Sequence, residues 1–215
     1  MSNSALNGLY GITDTGLMPD TASLLKSCDA AISGGMRILQ YRDKSDDATR
    51  RLEQAKALKA LCHRRGCLFL INDDVELALA SGADGVHLGQ KDGSLSAARQ
   101  RLGDTAIIGQ TCHDRLDLAL RAEAEGASYV AFGAFYPSST KPEARQAPLA
   151  LLPEARTQLN IPIVAIGGLS VDNAVHVIAA GAQMTAVVHA LFAADDIQAR
   201  AEQFSQLFHI QNQTH

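Results

Sequence analysis

Tryptophan is absent from this 215-residue sequence, aromatic residues make up only 5% of it, and it holds six prolines and four cysteines. No apolar run approaches the roughly 18 residues that a membrane span needs. The opening MSNSALNGLYGI also lacks the charged head and apolar stretch of a secretory signal. A cytoplasmic location with no membrane partner is therefore expected. Cys28, Cys62, Cys67 and Cys112 match neither a zinc ribbon nor a CxxC pair, and read as reduced, small hydrophobic side chains. Positive charge is not in excess: 19 Lys and Arg against 23 Asp and Glu leave a formal charge of −4. Binding along a nucleic acid needs a basic stripe, and these cations are scattered, so nucleic acid is not an expected partner. Also missing are a GxGxxG turn after the first strand, a GxSxG elbow, and a His pair at the i, i+4 spacing of a zinc helix.

What is present is a chain of single-domain size, 47% hydrophobic, able to bury roughly 70% of its unfolded surface without staples. Short β-rich runs recur along it: Leu9–Thr13, Ile38–Tyr41, Leu68–Asn72, Gly85–Leu88, Ala106–Gly109, Tyr129–Gly133, Ile163–Ile166 and Thr185–Val188. Between them lie segments of helical periodicity such as Asp46–Arg65, Arg115–Glu125 and Val171–Ala180. Glycines at 34–35, 82, 126 and 181 close helical runs just before strands, where a helix C-cap belongs. Asp20, Ser45–Asp46, Ser94, Asp114 and Ser170 are candidate N-caps. Eight β-α units in this length predict a single (β/α)8 TIM barrel over residues 1–215, frayed at about 1–7 and 211–215. An open doubly wound sheet shares the alternation but rarely uses eight strands in so short a chain.

In such a barrel chemistry gathers where the strands end. Asp73 and Asp92 end neighbouring strands, and a pair of carboxylates suits Mg2+ shared with phosphate; each alone could equally cap a helix or open a turn. Arg42 and Lys44 follow the second strand and Lys141 the sixth, so three cations converge on one mouth, although any one of them alone reads as a solvated surface charge. Ser138-Ser139-Thr140 and Ile166-Gly167-Gly168 offer hydroxyls, N–H groups and close backbone approach, as a phosphate loop requires. Gly167-Gly168 alone could be a turn. His87, His113 and His189 also lie near strand ends, where a lone histidine more often packs or hydrogen-bonds than ligates metal. Cations and metal ligands together point to a diphosphate.

Five motifs occur in order between about Leu9 and Phe208: Gln40-Tyr41-Arg42-Asp43-Lys44, Ile71-Asn72-Asp73, Gly82-Ala83-Asp84-Gly85-Val86-His87-Leu88-Gly89-Gln90 followed by Asp92, Ser138-Ser139-Thr140-Lys141, and Ala165-Ile166-Gly167-Gly168. Together they resemble the thiamine-phosphate synthase family. That resemblance implies a (β/α)8 barrel joining an aminopyrimidine methyl diphosphate to a thiazole phosphate, or its carboxylate, with release of diphosphate and dependence on Mg2+. It implies that Gln40, Tyr41, Arg42, Asp43, Lys44, Asn72, Thr111 and Lys141 hold the pyrimidine diphosphate, with Arg42, Lys44 and Lys141 catalytic. Asp73 and Asp92 would ligate the metal, while Ser138, Ser139, Thr140, Gly168, Val188 and His189 would hold the thiazole phosphate. The expected partners are small-molecule phosphates, with a homo-oligomer left open.

The sequence departs from the family pattern at Thr111 and His189, where Ser is usual, at Ala134, where Pro is usual, and at Ser138, where Thr is usual. His189 is the largest change, exchanging a small hydroxyl for a ring that can still donate to phosphate. Two other readings remain: a thiazole tautomerase of the same fold, which would not need the carboxylate pair or the Gln40–Lys44 run, and a non-catalytic sensor of phosphorylated ligands.

Overall fold

The computed structural model describes residues 6–137 and 146–212. Along the chain run β1 (Gly8–Ile12), α1 (Thr21–Ser33), β2 (Ile38–Tyr41), α2 (Ala48–Arg65), β3 (Leu68–Asn72), α3 (Val75–Ser81), β4 (Gly85–Leu88), α4 (Leu95–Leu102), β5 (Ile107–His113), α5 (Leu116–Ala124), β6 (Tyr129–Phe132), α6 (Leu151–Gln158), β7 (Ile163–Ile166), α7 (Val171–Ala179), β8 (Met184–Val187), α8 (His189–Phe192) and α9 (Ile197–Asn212). Each strand pairs in parallel with the next, and β8 returns to β1, so the sheet is a closed barrel in sequence order. No helix among the described residues is long and apolar enough to cross a membrane.

Local chemistry accounts for the helix boundaries. Asp20 and Ser170 each form a capping box, and Asp74 and Ser94 accept from the third backbone N–H of α3 and α4. Asp47, rather than Ser45 or Asp46, caps α2, accepting from Arg50 N at 3.0 Å. Arg115 opens α5 with no side-chain cap, in place of the expected Asp114. Gly66 and Gly82 adopt the left-handed conformation that ends α2 and α3. Leu6 is buried beneath the barrel, and α9 runs to Asn212.

Strand alternation divides the apolar residues into two cores. Leu9, Leu39, Phe69, Ile71, Val86, Ile108 and Phe132 face outward and pack with the helices. Tyr10, Ile12, Ile38, Leu70, Ile107, Tyr129, Val164 and Met184 face inward and plug the barrel. β5 continues past Gly109 to His113, longer than the sequence pattern indicates. Glycine does not break it, because the missing side chain makes room for a neighbour: a Cβ there would lie 2.0 Å from Cζ of Tyr129.

The plug is not wholly apolar. Gln40 Nε2 donates to the Tyr10 hydroxyl at 2.6 Å, and Tyr10 and Tyr129 hydroxyls are 2.9 Å apart. Tyr129 Oη is 2.9 Å from His87 Nδ1, and His87 Nε2 is 2.8 Å from Thr111 Oγ1. Five side chains from five strands thus form one hydrogen-bonded chain across the interior. Burial holds both tyrosines far above their ordinary ionisation range and pulls His87 down to about 4, so the chain is neutral.

Two predictions follow from this packing. Gly109→Ala should overpack Tyr129 and cost about 2 kcal/mol, seen as a Tm lower by roughly 4–8 °C. Gly82→Ala, whose Cβ would meet nothing within 4 Å, should cost only the left-handed backbone strain, about 1 kcal/mol. Burial of His87 also makes the fold sensitive to acid. The unfolded chain binds a proton on His87 below pH 6.5, whereas the folded chain resists until about 4. The stability contribution is complete above pH 6.5 and lost as pH falls through that window, by up to about 3 kcal/mol. Denaturant midpoints for wild type and His87→Gln should therefore diverge at pH 7.5 and converge toward pH 4.5.

Candidate active site

Two adjoining spaces open at the C-terminal ends of the strands. The inner one, a cavity of about 450 Å³, is lined by Tyr10, Gln40, Arg42, Asn72, His87 and Thr111 on one side and by Gly168, Val188 and His189 on the other. Next to it is an acidic recess lined by Lys44, Asp73, Asp74 and Asp92. Asn72 borders both, so the two spaces meet at the end of β3.

Alternation along β2 sorts the run from Gln40 to Lys44. Gln40 points inward. Tyr41 points outward, is 2% exposed, and bonds its hydroxyl to Gln54 Oε1 at 2.7 Å beneath α2. Asp43 is also turned aside, accepting from Ser45 N at 2.8 Å and from Arg50 Nη2 at 3.0 Å. Tyr41 borders neither space and anchors α2, whereas Asp43 shapes the loop that carries Arg42 and Lys44 and also lines the recess. Arg42 is fixed through its backbone, whose N–H donates to Thr13 Oγ1 at 2.8 Å. Arg42 lines the cavity, and no described carboxylate pairs with it. Lys44 leaves the cavity for the recess, where it bonds Asp73.

The acidic pair is shaped by two backbone features. Strand alternation alone would turn Asp73 away from the interior, but its φ of 61° reverses the chain at the end of β3, a conformation that Asp tolerates better than most residues. The turn is held by Asp73 N donating to His87 O and Asp74 N donating to Asn72 O, both at 2.8 Å. Its carboxylate bonds Lys44 and, at 2.6 Å, Asn72 Nδ2. Asp92 Oδ2 accepts from Gly89 N at 3.0 Å, and a Cβ on Gly89 would lie 2.5 Å from that oxygen. Burial resists ionisation of Asp73, but Lys44, Asp92 and Asn72 outweigh it and hold its carboxyl below the usual range. Burial and the adjacent Asp73 together push Asp92 up. Asp73 and Asp92 thus share the recess with Lys44, while Asp74 takes the capping role, with its second oxygen 2.8 Å from Arg51 Nη2.

On the opposite rim, Gly167 and Gly168 have φ of 97° and 62°. A Cβ on Gly168 would lie 2.3 Å from the Pro137 carbonyl oxygen, so the loop after β7 presses directly on the loop after β6. Val188 and His189 border the cavity where β8 passes into α8. Ser138, Ser139, Thr140 and Lys141 lie outside the described residues. Tyr10 and Tyr129 are site residues that the sequence reading did not name. Their signal was positional: each is a tyrosine at an inward strand position, with a hydroxyl that needs a partner inside the barrel.

The division of labour between Asp73 and Asp74 is directly measurable. Asp74→Ala should lower stability by about 1 kcal/mol through loss of the cap on α3. Asp73→Asn leaves that cap intact and gives up a part-exposed ion pair with Lys44 while relieving Asp92, so it should cost less stability than Asp74→Ala, under about 1 kcal/mol.

Comparison with known proteins places this architecture. The family model described as thiamine monophosphate synthase matches residues 9–191. A thiamine-phosphate synthase of Thioalkalivibrio sulfidiphilus is 56% identical over 205 residues, covering 95% of this chain and 97% of that protein. One from Chromobacterium violaceum is 55% identical over 196 residues, covering 91% and 93%. Among solved structures, thiamine phosphate pyrophosphorylase from Pyrococcus furiosus superposes with a TM-score of 0.87 at 33% identity, covering 97% of this chain and 98% of that one. By near-complete coverage in sequence and in structure, the chain belongs to the thiamine monophosphate synthase family.

Proposed function

We propose that this chain makes thiamine phosphate, joining an aminopyrimidine methyl diphosphate to a thiazole phosphate and releasing diphosphate. The observation that carries the reading is the junction at Asn72, where a cavity sized for two small rings meets a recess of paired carboxylates and a lysine. A tautomerase working by proton transfer has no use for that recess. The substrates are small phosphorylated molecules; the four unpaired, buried cysteines suit a reducing compartment, and we assign the cytoplasm.

The donor set fits Mg2+. Asp73 and Asp92 provide hard oxygen ligands whose mutual repulsion a divalent cation relieves, and Mg2+ is commonly held by one or two carboxylates with water and phosphate completing its shell. When bound, it would neutralise charge on the departing diphosphate. Asp73 and Asp92 would hold the ion, and Lys44, paired with Asp73 at the rim, lies close enough to meet the diphosphate as well. Arg42, facing the cavity, meets the diphosphate from the ring side, where its fork donates to two phosphate oxygens. Lys141 completes the cationic set in this reading. Gln40, Asn72 and Thr111 contact the pyrimidine. Ser138, Ser139, Thr140, Gly168, Val188 and His189 hold the thiazole phosphate.

With these groups in place, cleavage of the carbon–oxygen bond to diphosphate precedes attack, because the aminopyrimidine delocalises the cation left behind. Catalysis is then chiefly stabilisation of the developing negative charge by positioned cations. The thiazole nitrogen, held nearby through its phosphate, closes the new carbon–nitrogen bond, and the apolar walls Ile12, Val164 and Ile166 keep water from competing. No general base is needed for that bond.

Incubation with the pyrimidine diphosphate, thiazole phosphate and Mg2+ should yield equal amounts of thiamine phosphate and diphosphate; no product at any Mg2+ concentration would refute the reading. Arg42→Ala and Lys44→Ala should each lower kcat by about 10²–10³-fold. Asp92→Ala should lose turnover while retaining thiazole phosphate affinity. Tyr41→Phe, which touches no substrate, should keep kcat within about two-fold yet lose about 1–3 kcal/mol of stability by stranding Gln54.

A further inference from the structure

The chain of side chains under the cavity has a direction. Gln40 Nε2 can only donate, so the Tyr10 hydroxyl accepts from it. The Tyr10 proton then finds an acceptor only on Tyr129 Oη, and the Tyr129 proton only on His87 Nδ1. That leaves the His87 proton on Nε2, where it is donated to Thr111 Oγ1. With the Gln40 amide placed this way, any other assignment strands a buried hydroxyl proton or sets two protons face to face; the one alternative reverses every link together. Both ends of the chain line the cavity. At one end, Gln40 has its amide N–H engaged below and its Oε1 takes no hydrogen bond from a described residue. At the other, Thr111 has accepted from below and has its own proton to give.

We propose that Tyr10, Tyr129 and His87 are positioning residues that fix Gln40 as an acceptor and Thr111 as a donor toward the ligand, and so select a 4-aminopyrimidine over its 4-oxo analogue. The inference rests on the synthase reading for the identity of the ligand. An aminopyrimidine offers an exocyclic N–H beside an unprotonated ring nitrogen, which complements an acceptor beside a donor. The 4-oxo ring reverses both, placing its carbonyl against Gln40 Oε1. To accept it, the Gln40 amide must rotate and the His87 proton must move from Nε2 to Nδ1, with both tyrosine hydroxyls turning as well. Because the groups turn only together, the two ends cannot adapt separately. The neighbouring rings reinforce this: Tyr129 stacks on His87 with centroids 5.6 Å apart and meets Tyr10 edge-on at 6.1 Å, while Gly109 leaves the space that Tyr129 fills.

Two measurements test the proposal. In protein carrying ¹⁵N-histidine, His87 among the seven histidines is identified by the resonance lost in His87→Gln. Its proton should reside on Nε2 in wild type and distribute over both nitrogens in Tyr129→Phe, where Nδ1 has lost its donor. Binding of the 4-amino and 4-oxo pyrimidine monophosphates, which lack the leaving diphosphate and report affinity alone, should favour the amino form in wild type. That preference should fall by roughly 10-fold or more in Tyr129→Phe, as expected when a buried polar group is left free to reorient. KM for the pyrimidine diphosphate should rise, with kcat and the thiazole phosphate KM within about two-fold. Tyr10→Phe provides a second arm should Tyr129→Phe not fold: preference should fall again while His87 keeps its proton on Nε2, since Tyr129 still donates to it. A wild-type proton on Nδ1, or an unchanged preference in both variants, would overturn the chain. A wild type that shows the Nε2 proton and the amino preference yet makes no thiamine phosphate would support the chain and refute only the synthase reading.

Discussion

Everything at this mouth depends on the alternation of inward and outward positions in a closed sheet. A barrel of eight short strands has few inward positions, and each polar residue placed there loses water and must find its partner in the interior. Tyr10, Gln40, His87, Thr111 and Tyr129 solve that requirement jointly, as consecutive links of one chain. The same alternation sends Tyr41 under α2, although it is adjacent in sequence to Gln40 and Arg42. Sequence proximity to a functional residue is thus a weak guide to function within a strand, whereas spacing by two is a strong one.

Where the strands end, alternation lapses and backbone conformation takes over. The left-handed turn at Asp73 is what brings its carboxylate to Asp92 and leaves Asp74 to cap α3. Glycine makes the facing contacts possible: Gly89 lets Asp92 reach a backbone N–H, and Gly168 lets the loops after β6 and β7 touch. Charge is arranged by the same means. The −4 of the whole chain says little about the local field, because Arg42 faces one space while Lys44 and two carboxylates share the next. A net negative chain is in this way compatible with positive charge concentrated at one mouth.

The barrel was legible because its signals are local and repeated. Hydrophobic runs recur eight times, glycines close several of the helices between them, and most strand boundaries follow to within a residue or two. The exception, β5, is instructive: Gly109 reads as a break in a strand, but the residue filling its space, Tyr129, is 20 positions away. At the site, charged residues at strand ends were legible as a group, and Gln40, Arg42, Asn72, Thr111, Gly168, Val188 and His189 do line one cavity. What the motif could not convey is which members of the Gln40–Lys44 run turn inward, since it records neighbours in sequence and not the face on which each lies. Nor could a catalogue of charged and nucleophilic residues find Tyr10 and Tyr129, which act through hydroxyls that stay neutral.

The two halves of the site answer different physical needs, and their separation follows from that difference. Departure of diphosphate demands flexible, solvated charge that can follow the leaving group, and Lys44, 57% exposed in its side chain, stands where it can move. Recognition of a ring demands the opposite: fixed donors and acceptors with no freedom to accommodate the wrong pattern. Those groups are placed deeper, on strands, where each hydrogen bond constrains the next. Asn72 belongs to both regions, inward by alternation and bonded to Asp73 by its amide. A shift of β3 would therefore be felt at once by the floor of the cavity and by the carboxylates of the recess, coupling the two spaces.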